Sequence, residues 1–230
     1  MFQAPFRVFA ALLLPFVLLG CMLAPGKFTS ILTINADRSF SYSYVGEVYA
    51  MDIGKQMSSA FSTGSGTKPP KDAATDAKKA AEFEAKAQAI AAALRNEAGY
   101  RKVEYVGDGK FLVDYAIEGR LTHHFVYPFN LDAEAIIPFI AVELRADGKV
   151  RVMAPAFGRE NSVGGASAPS TGDGPGAKLD GTFTIDTDAA VVSQNNEDGV
   201  SATGARKRIT WKVTPLTKQA PMAVLGLAGR

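Results

Sequence analysis

Short runs of alternating apolar and polar residues, separated by turn-forming residues, recur through most of the chain. The first two runs are residues 28–34 and 40–51, and the polar cluster 35–39 between them is typical of a tight turn. Alternation with a period of two places every second side chain on the same face of a strand. The pattern therefore predicts a β-hairpin followed by a fold built mainly from antiparallel strands.

Glycine-containing turns predict further hairpins in the middle of the chain. The turns at residues 107–109 and 146–149 contain glycine, which readily adopts the positive φ of tight hairpin turns. We expect the strands on either side of these turns to form an antiparallel meander. The strand patterns after the first hairpin cover residues 100–106, 110–121, 122–129, 139–145, 150–154, 181–186, 189–192, 208–214 and 222–227.

One stretch has the period of a helix. Residues 72–98 are rich in alanine, and Phe83, Ala87, Ile90 and Leu94 recur at spacings of four, three and four. This narrow apolar stripe predicts a helix that packs against one face of a sheet. Gly99 follows, and we expect it to end the helix in the left-handed conformation.

These elements predict a single α+β domain. It contains one antiparallel sheet of about seven to nine strands, with the long helix packed on it. Residues 62–71 and 157–177 are rich in glycine, proline and serine, and are expected to be mobile loops. An arrangement of two smaller sheets divided near the second loop remains open.

An apolar leader precedes the strands. Arg7 is the only charged residue before Lys27, and an apolar run follows it over residues 8–19. This run is shorter than the roughly 20 residues that a membrane-spanning helix needs, and it is typical of a secretory signal peptide. We therefore expect residues 1–20 to be removed after export.

Cys21 is the sole cysteine and directly follows Leu18-Leu19-Gly20. These four residues resemble the lipobox of bacterial lipoproteins, with an apolar residue three positions before the cysteine and a small residue directly before it. The resemblance implies cleavage between Gly20 and Cys21 and attachment of acyl chains such as palmitate to Cys21. Two acyl chains already anchor a protein stably. A secreted protein with a free thiol and an uncleaved membrane anchor are the alternatives.

The same resemblance implies a location and a domain layout. In families that sort lipoproteins by the residue after the cysteine, Asp retains the protein in the inner membrane, and Met22 here favours the outer membrane. The expected layout is a signal peptide at 1–20, a lipidated N-terminus and short tether at 21–27, and a periplasmic domain at 28–230. Lys and Arg number 25 against 23 Asp and Glu, without blocks of like charge, which argues against nucleic acid as a partner.

No set of residues predicts a catalytic or metal site. Adjacent His123 and His124 would point to opposite faces of a strand, so they would not share a metal. Asp180, Asp186 and Asp188 lack the spacing of a known calcium loop. We therefore expect no enzyme activity and no cofactor. Phe40, Tyr42 and Tyr44 share one face of a predicted strand and are either a ligand-stacking platform or part of the core.

A wider resemblance rests on three features. They are the lipobox, the strand opening at Gly26-Lys27-Phe28-Thr29-Ser30 with its turn at 35–39, and the late strand Ile209-Thr210-Trp211-Lys212-Val213. Together they resemble a group of bacterial, in particular proteobacterial, lipoproteins, and are distantly similar to LppM-type lipoproteins. The similar proteins usually add a C-terminal transmembrane helix, which this sequence does not carry. The resemblance implies no enzyme activity and no site.

We therefore expect a lipid-anchored, non-enzymatic envelope protein that binds a partner, either a protein or a lipid. The alternative is a carrier of small ligands or lipids, in which Phe40, Tyr42 and Tyr44 or the meander line a cavity. A third interpretation is an envelope hydrolase, which would need a cleft that gathers titratable residues from distant parts of the chain. A pocket open to solvent would favour the carrier, whereas a filled core with an exposed apolar patch would favour partner binding.

Overall fold

A computed structural model describes residues 21–52, 73–128, 138–159 and 175–227. Within these ranges the chain forms twelve β-strands, one α-helix and two short 3-10 helices, Pro155–Phe157 and Pro175–Lys178. No helix in these ranges is both long and apolar enough to cross a membrane. The elements are β1 (Cys21–Ile34), β2 (Ser39–Asp52), α1 (Ala73–Leu94), β3 (Tyr100–Tyr105), β4 (Lys110–Arg120), β5 (Phe125–Tyr127), β6 (Ile140–Leu144), β7 (Lys149–Met153), β8 (Asp180–Thr187), β9 (Ala190–Gln194), β10 (Ser201–Thr203), β11 (Arg206–Val213) and β12 (Met222–Gly226).

The strands form two sheets, and the α+β class predicted from the sequence is confirmed. The large sheet has seven strands in the order β10-β11-β8-β1-β2-β4-β3, and the small sheet has five in the order β5-β6-β7-β12-β9. The strands are more numerous than the seven to nine expected, and the two sheets are not divided near residues 157–177. The small sheet takes strands from both sides of that loop, because β12 pairs with β7 on one side and with β9 on the other.

The first hairpin forms as predicted, with Ile34 opposite Phe40. Its first strand is longer than predicted, however, since β1 begins at Cys21 and residues 22–25 of the expected tether pair with β2. Pro25 and Gly26 break the alternation in the sequence. The strand passes them through a register shift between Pro25 and Phe28, so that pairing continues on both sides of the interruption.

A parallel pairing joins distant parts of the chain. β1 runs parallel to β8, with Phe28 opposite Gly181 and Ile34 opposite Thr187. The Thr187 hydroxyl donates a hydrogen bond of 2.6 Å to the carbonyl oxygen of Ile34, and both residues are buried. This pairing places β1 in the interior of the large sheet, between β2 and β8.

An aromatic core lies between the inner faces of the two sheets. The ring of Phe28 stacks on that of Phe157 at a centroid distance of 4.4 Å, and Tyr44 contacts Phe139 at 5.4 Å. Further along, Phe183 stacks on Trp211 at 5.6 Å. Aromatic pairs of this kind contribute about 0.5–1.5 kcal/mol each beyond the area that they bury. Aromatic rings therefore make up a large part of the core between the two sheets, beside aliphatic side chains such as Leu32 and Ile185.

The helix α1 covers the inner face near β3. Ala87 and Ala91 are buried, and Phe83, Ile90 and Leu94 pack against the core, which confirms the predicted stripe. The helix ends at Leu94 rather than at residue 98. The Nε of Arg95 donates a hydrogen bond of 2.8 Å to the carbonyl oxygen of Val103, and Gly99 adopts a φ of 91°. These features turn the chain directly from α1 into β3.

The expected loop 62–71 and residues 160–174 of the second expected loop lie outside the described residues. The meander also differs from the prediction. β3 and β4 belong to the large sheet, whereas β5, β6 and β7 belong to the small one, so the chain changes sheet between β4 and β5. Residues 121–124 make this crossing.

Candidate functional site

Three tyrosines from three different strands meet where α1 leads into β3. Tyr100 begins β3, Tyr115 lies in β4, and Tyr127 ends β5. Together with Glu97 and Ala98 in the turn after α1 they line a pocket of about 270 Å³, which we call the tyrosine pocket. The pocket is slightly smaller than the roughly 300–1,000 Å³ of ordinary small-molecule sites. It therefore has the size for a small ligand or for one end of a larger one.

The rings of the tyrosine pocket pack on one another. The centroid distances are 4.4 Å between Tyr115 and Tyr127, 4.9 Å between Tyr100 and Tyr115, and 6.5 Å between Tyr100 and Tyr127. These spacings leave no gap between the rings that could enclose a cation in an aromatic cage. A ligand would instead lie against the outer faces and edges of the rings, beside the exposed Glu97.

An apolar cleft adjoins the tyrosine pocket and shares Tyr100 and Tyr127 with it. It lies between α1 and the two sheets, and the part wide enough for a water molecule amounts to about 20 Å³. A cavity of this size holds about one water. Its walls are Leu23, Val48, Ile90, Leu94, Tyr100, Phe111, Val113, Tyr127, Pro128 and Phe139.

Burial keeps the hydroxyls of these tyrosines protonated. Burial raises the pKa of Tyr127 well above its ordinary value, and the neighbouring tyrosines add to the rise. Burial also raises the pKa of Tyr100 and of Tyr115, and the negative charge of Glu97 raises both further. Tyrosine hydroxyls are protonated at neutral pH even at their ordinary pKa of 10.0. These shifts extend the protonated form to higher pH, so the hydroxyls are neutral donors and acceptors.

The predicted stripe of Phe40, Tyr42 and Tyr44 lies on the inner face of the large sheet. Tyr42 and Tyr44 are fully buried, and Phe40 is half-buried against Phe125 at a centroid distance of 5.2 Å. The Tyr42 hydroxyl accepts a hydrogen bond of 3.1 Å from the buried Ser30. A ligand could reach these two tyrosines only in place of a protein neighbour, so the rings serve the core. They contact the candidate site through Tyr127, whose ring centroid lies 5.1 Å from that of Tyr42.

The two histidines do not lie on a strand. His123 and His124 are exposed in the crossing between β4 and β5, because β5 begins only at Phe125. The Oγ1 of Thr122 lies 2.9 Å from Nδ1 of His123. Among the described residues no group of three or more His, Cys, Asp or Glu side chains is arranged to hold a metal ion.

The three aspartates considered as calcium ligands also separate. Asp186 is buried and holds Arg206 and Arg208, with the Nη2 of Arg208 at 2.8 Å from its Oδ2. Burial raises the pKa of this carboxyl, but the hydrogen bonds from the two arginines outweigh burial and leave the pKa below its ordinary value. Asp188 accepts a hydrogen bond of 2.6 Å from the backbone N–H of Ala36, and Asp180 is exposed. The three aspartates therefore do not form one site, and Asp186 belongs to an ion-pair network with the two arginines.

The residues of the predicted lipidation site lie at the border of the described region. Cys21 is the first residue of β1, opposite Asp52 of β2, and Gly20 lies outside the described residues. The attachment of acyl chains to Cys21 stays a prediction.

The tyrosine pocket was not among the sites predicted from the sequence. Tyr115 and Tyr127 each fall at an inward position of an alternating strand, which the sequence pattern does indicate. What it does not indicate is that β5 belongs to the other sheet and brings Tyr127 against Tyr115. Only the recurrence of tyrosine in three neighbouring predicted strands was available as a signal.

Comparisons with known proteins give a weak likeness in structure and no match by sequence. No protein-family model matches the chain, and no curated protein matches it. Among solved structures, it is similar to the NMR structure of the folded domain of LppM from Mycobacterium tuberculosis, with a TM-score of 0.34 and 17% sequence identity over 90% of this chain and 92% of that chain. A likeness at this level assigns neither a function nor a site to this chain.

Proposed function

We propose that this chain is a lipid-anchored, non-enzymatic protein of the bacterial cell envelope that binds a small amphipathic ligand, such as a lipid, in the tyrosine pocket. The anchor rests on the sequence, because Leu18-Leu19-Gly20-Cys21 resembles a lipobox. The protein then faces the periplasm, from the outer membrane if Met22 sorts it as in the families described above. Cys21 begins a strand, so the folded domain follows the lipid without an intervening linker.

One observation carries the ligand-binding part of the proposal. The tyrosine pocket lies beside an apolar cleft with which it shares two lining residues, Tyr100 and Tyr127, and the Glu97 carboxylate is among its own lining residues. Protonated hydroxyls and Glu97 suit a polar or positively charged group, whereas the outer faces of the tyrosine rings suit hydrocarbon. The ligand expected from these walls has an apolar body and a hydrogen-bonding or cationic end.

A neutral fluorescent probe, N-phenyl-1-naphthylamine, tests the pocket. Ala98 is exposed and lines the pocket, so Ala98→Phe is expected to fill the pocket without entering the core. We expect the probe to bind the wild-type chain and to bind the Ala98→Phe variant at least about tenfold more weakly, a loss of about 1.4 kcal/mol. The matched control is Ala93→Phe, a substitution at an exposed position of α1 outside the pocket lining. Equal binding by all three proteins would contradict the proposal.

Metabolic labelling with palmitate tests the anchor. The native chain is expected to incorporate the label and to fractionate with membranes. Cys21→Ser, which removes the only thiol of the chain, is expected to do neither. A Cys21→Ser protein that is cleaved normally and remains in the membrane fraction would contradict the lipid anchor and leave the pocket proposal standing.

A second candidate function is the binding of an envelope protein. It is favoured by Ile31 and Val45, which are 42% and 53% exposed on the face of the large sheet that points away from the core. The two side chains are diagonal neighbours across the β1–β2 pairing, and a contiguous exposed apolar area is a feature of interaction surfaces. An envelope hydrolase is less well supported, since the titratable residues that line the tyrosine pocket are Glu97 and three tyrosines.

A further inference from the structure

The face of the large sheet that points away from the small sheet and from α1 is open to solvent; we call it the outer face. Ile31 of β1 and Val45 of β2 are 42% and 53% exposed there. The side chains around them are small and mostly carry hydroxyls, and two of these, Thr184 and Thr210, lie with their Oγ1 atoms 3.2 Å apart. Strands with such short side chains present an even surface that another sheet can approach closely.

Strand pairing orders this surface into lines that run across the sheet. One line crosses β11, β8, β1, β2 and β4 through Lys212, Thr182, Thr29, Val45 and Asp114. It has a cation, Lys212, on the β11 side and a carboxylate, Asp114, on the β4 side. Lys102 of the edge strand β3 lies next to Asp114, and its ammonium forms an ion pair of 2.8 Å with Glu104, so the β3–β4 edge keeps the negative charge of Asp114. Lys212 is exposed, and Asp114 is half-exposed.

A second line has the same polarity and crosses β1 four residues further along, at Thr33 instead of Thr29. It runs from Arg208 through Asp186, Thr33 and Ser41 to Glu118. Although Arg208 pairs with Asp186, its side chain is 62% exposed, and Arg206 shares the same carboxylate. The β11 side of the outer face is therefore positive in both lines, and the β4 side carries a carboxylate in both.

We propose that the outer face binds a second copy of this chain, face to face, about a two-fold axis parallel to β1. Rotation about that axis reverses the order of the strands, so β11 of one copy lies over β4 of the other. Lys212 then faces the second copy's Asp114, and Arg208 faces its Glu118. Ile31, on the central strand between these lines, meets its own counterpart on the axis.

The distribution of charge favours a second copy over an unrelated partner. A face that is positive on one side and negative on the other complements itself under this rotation, which is what an isologous interface requires. Rotation about an axis perpendicular to the strands through Ile31 would instead place β11 over β11, so that Lys212 would face the second copy's Arg208 and like charges would meet. Charge therefore selects one of the two face-to-face arrangements.

Charge reversal tests the interface in the full mature chain carrying Cys21→Ser, by analytical ultracentrifugation. We expect a monomer–dimer equilibrium that weakens as salt is added. Lys212→Glu and Asp114→Lys should each weaken dimerisation by about tenfold or more, because each turns two symmetric attractions into repulsions. Lys79→Glu, an equal change of charge at an exposed position of α1, should leave the equilibrium unchanged.

The decisive measurement is whether dimers form when the two variants are mixed. In a heterodimer the new carboxylate of one copy faces the new ammonium of the other, while Asp114 and Lys212 still pair at the second contact. Mixing Lys212→Glu with Asp114→Lys should therefore restore dimers. Circular dichroism and thermal unfolding of each variant alone show that a loss of dimers is not a loss of folding.

Cross-linking tests the position of the axis. In the Cys21→Ser background, Ile31→Cys supplies the only thiol, and a short bis-maleimide should join two copies at this position. Val192→Cys is a matched control, since Val192 is 54% exposed on β9 of the small sheet and should not cross-link. A monomer at every concentration, no recovery of dimers on mixing, or equal cross-linking at the two positions would each overturn the proposal.

Discussion

At the scale of single residues, Gly46 fixes how closely β2 approaches β1. A Cβ atom at this position would lie 2.3 Å from the carbonyl oxygen of Lys27 and 2.6 Å from the Cα of Phe28. Both are backbone atoms, so they cannot swing aside as the end of a side chain can. The contact lies where β1 resumes its pairing after the register shift at Pro25 and Phe28.

We therefore expect Gly46→Ala to lower the free energy of unfolding by about 3 kcal/mol, the upper part of the usual range for overpacking. Gly119→Ala is the control, because a Cβ there would meet only the Phe40 ring at an ordinary 3.5 Å. That change should alter stability by less than about 1 kcal/mol. Urea denaturation of the two variants measures both values, and an equal effect of the two would contradict the close approach.

At the scale of elements, the helix α1 packs through alanine rather than through large side chains. Ala91 is 1% exposed against the core, whereas Ala92, the next residue, is exposed. Leucine is nearly as good a helix former as alanine, so a change to leucine at these positions tests packing rather than helix propensity.

Ala91→Leu is expected to destabilise the fold by about 1–3 kcal/mol, because the added methyl groups have no space between α1 and the sheet. Ala92→Leu should change the midpoint of urea unfolding little. The measurement is the midpoint for each variant against the wild-type chain. If Ala91→Leu proves as stable as Ala92→Leu, α1 is not packed closely at Ala91.

The sequence predicted elements whose cause is local. The stripe from Phe83 to Leu94 and the turns around Gly107 and Gly148 follow from the spacing of neighbouring residues, and the structure contains them. Pairing between distant segments has no local signal. For this reason the parallel pairing of β1 with β8, the change of sheet before β5, and the tyrosine pocket that depends on it could not be predicted.

At the scale of the whole molecule, the tyrosines give the fold a shared response to alkaline pH. Burial raises the pKa of all seven above their ordinary 10.0, at positions 42, 44, 49, 100, 105, 115 and 127. In the unfolded chain the same hydroxyls would ionise near their ordinary pKa. The contribution of these groups to stability is therefore complete below about pH 10 and is lost as the pH rises above it.

Each such group lowers the free energy of unfolding by up to about 1.4 kcal/mol per pH unit in the range between its unfolded and folded pKa. As far as these groups are concerned, we expect the free energy of unfolding to be nearly constant from about pH 8 to pH 10. It should then fall by several kcal/mol over the next pH unit. Absorbance at the tyrosinate band and circular dichroism, followed together, measure this. Ionisation of most tyrosines near pH 10 with the circular dichroism unchanged would contradict their burial.

The interior position of β1 has a consequence for the order in which the protein assembles. Its partner on one side, β2, follows almost at once in the chain, but its partner on the other side, β8, begins only at Asp180. Closing so long a segment is entropically costly and slows folding. A newly synthesised chain would thus hold its first hairpin with one flank uncovered until β8 has been made, and during that interval the unpaired edge of β1 is exposed to pairing with other chains.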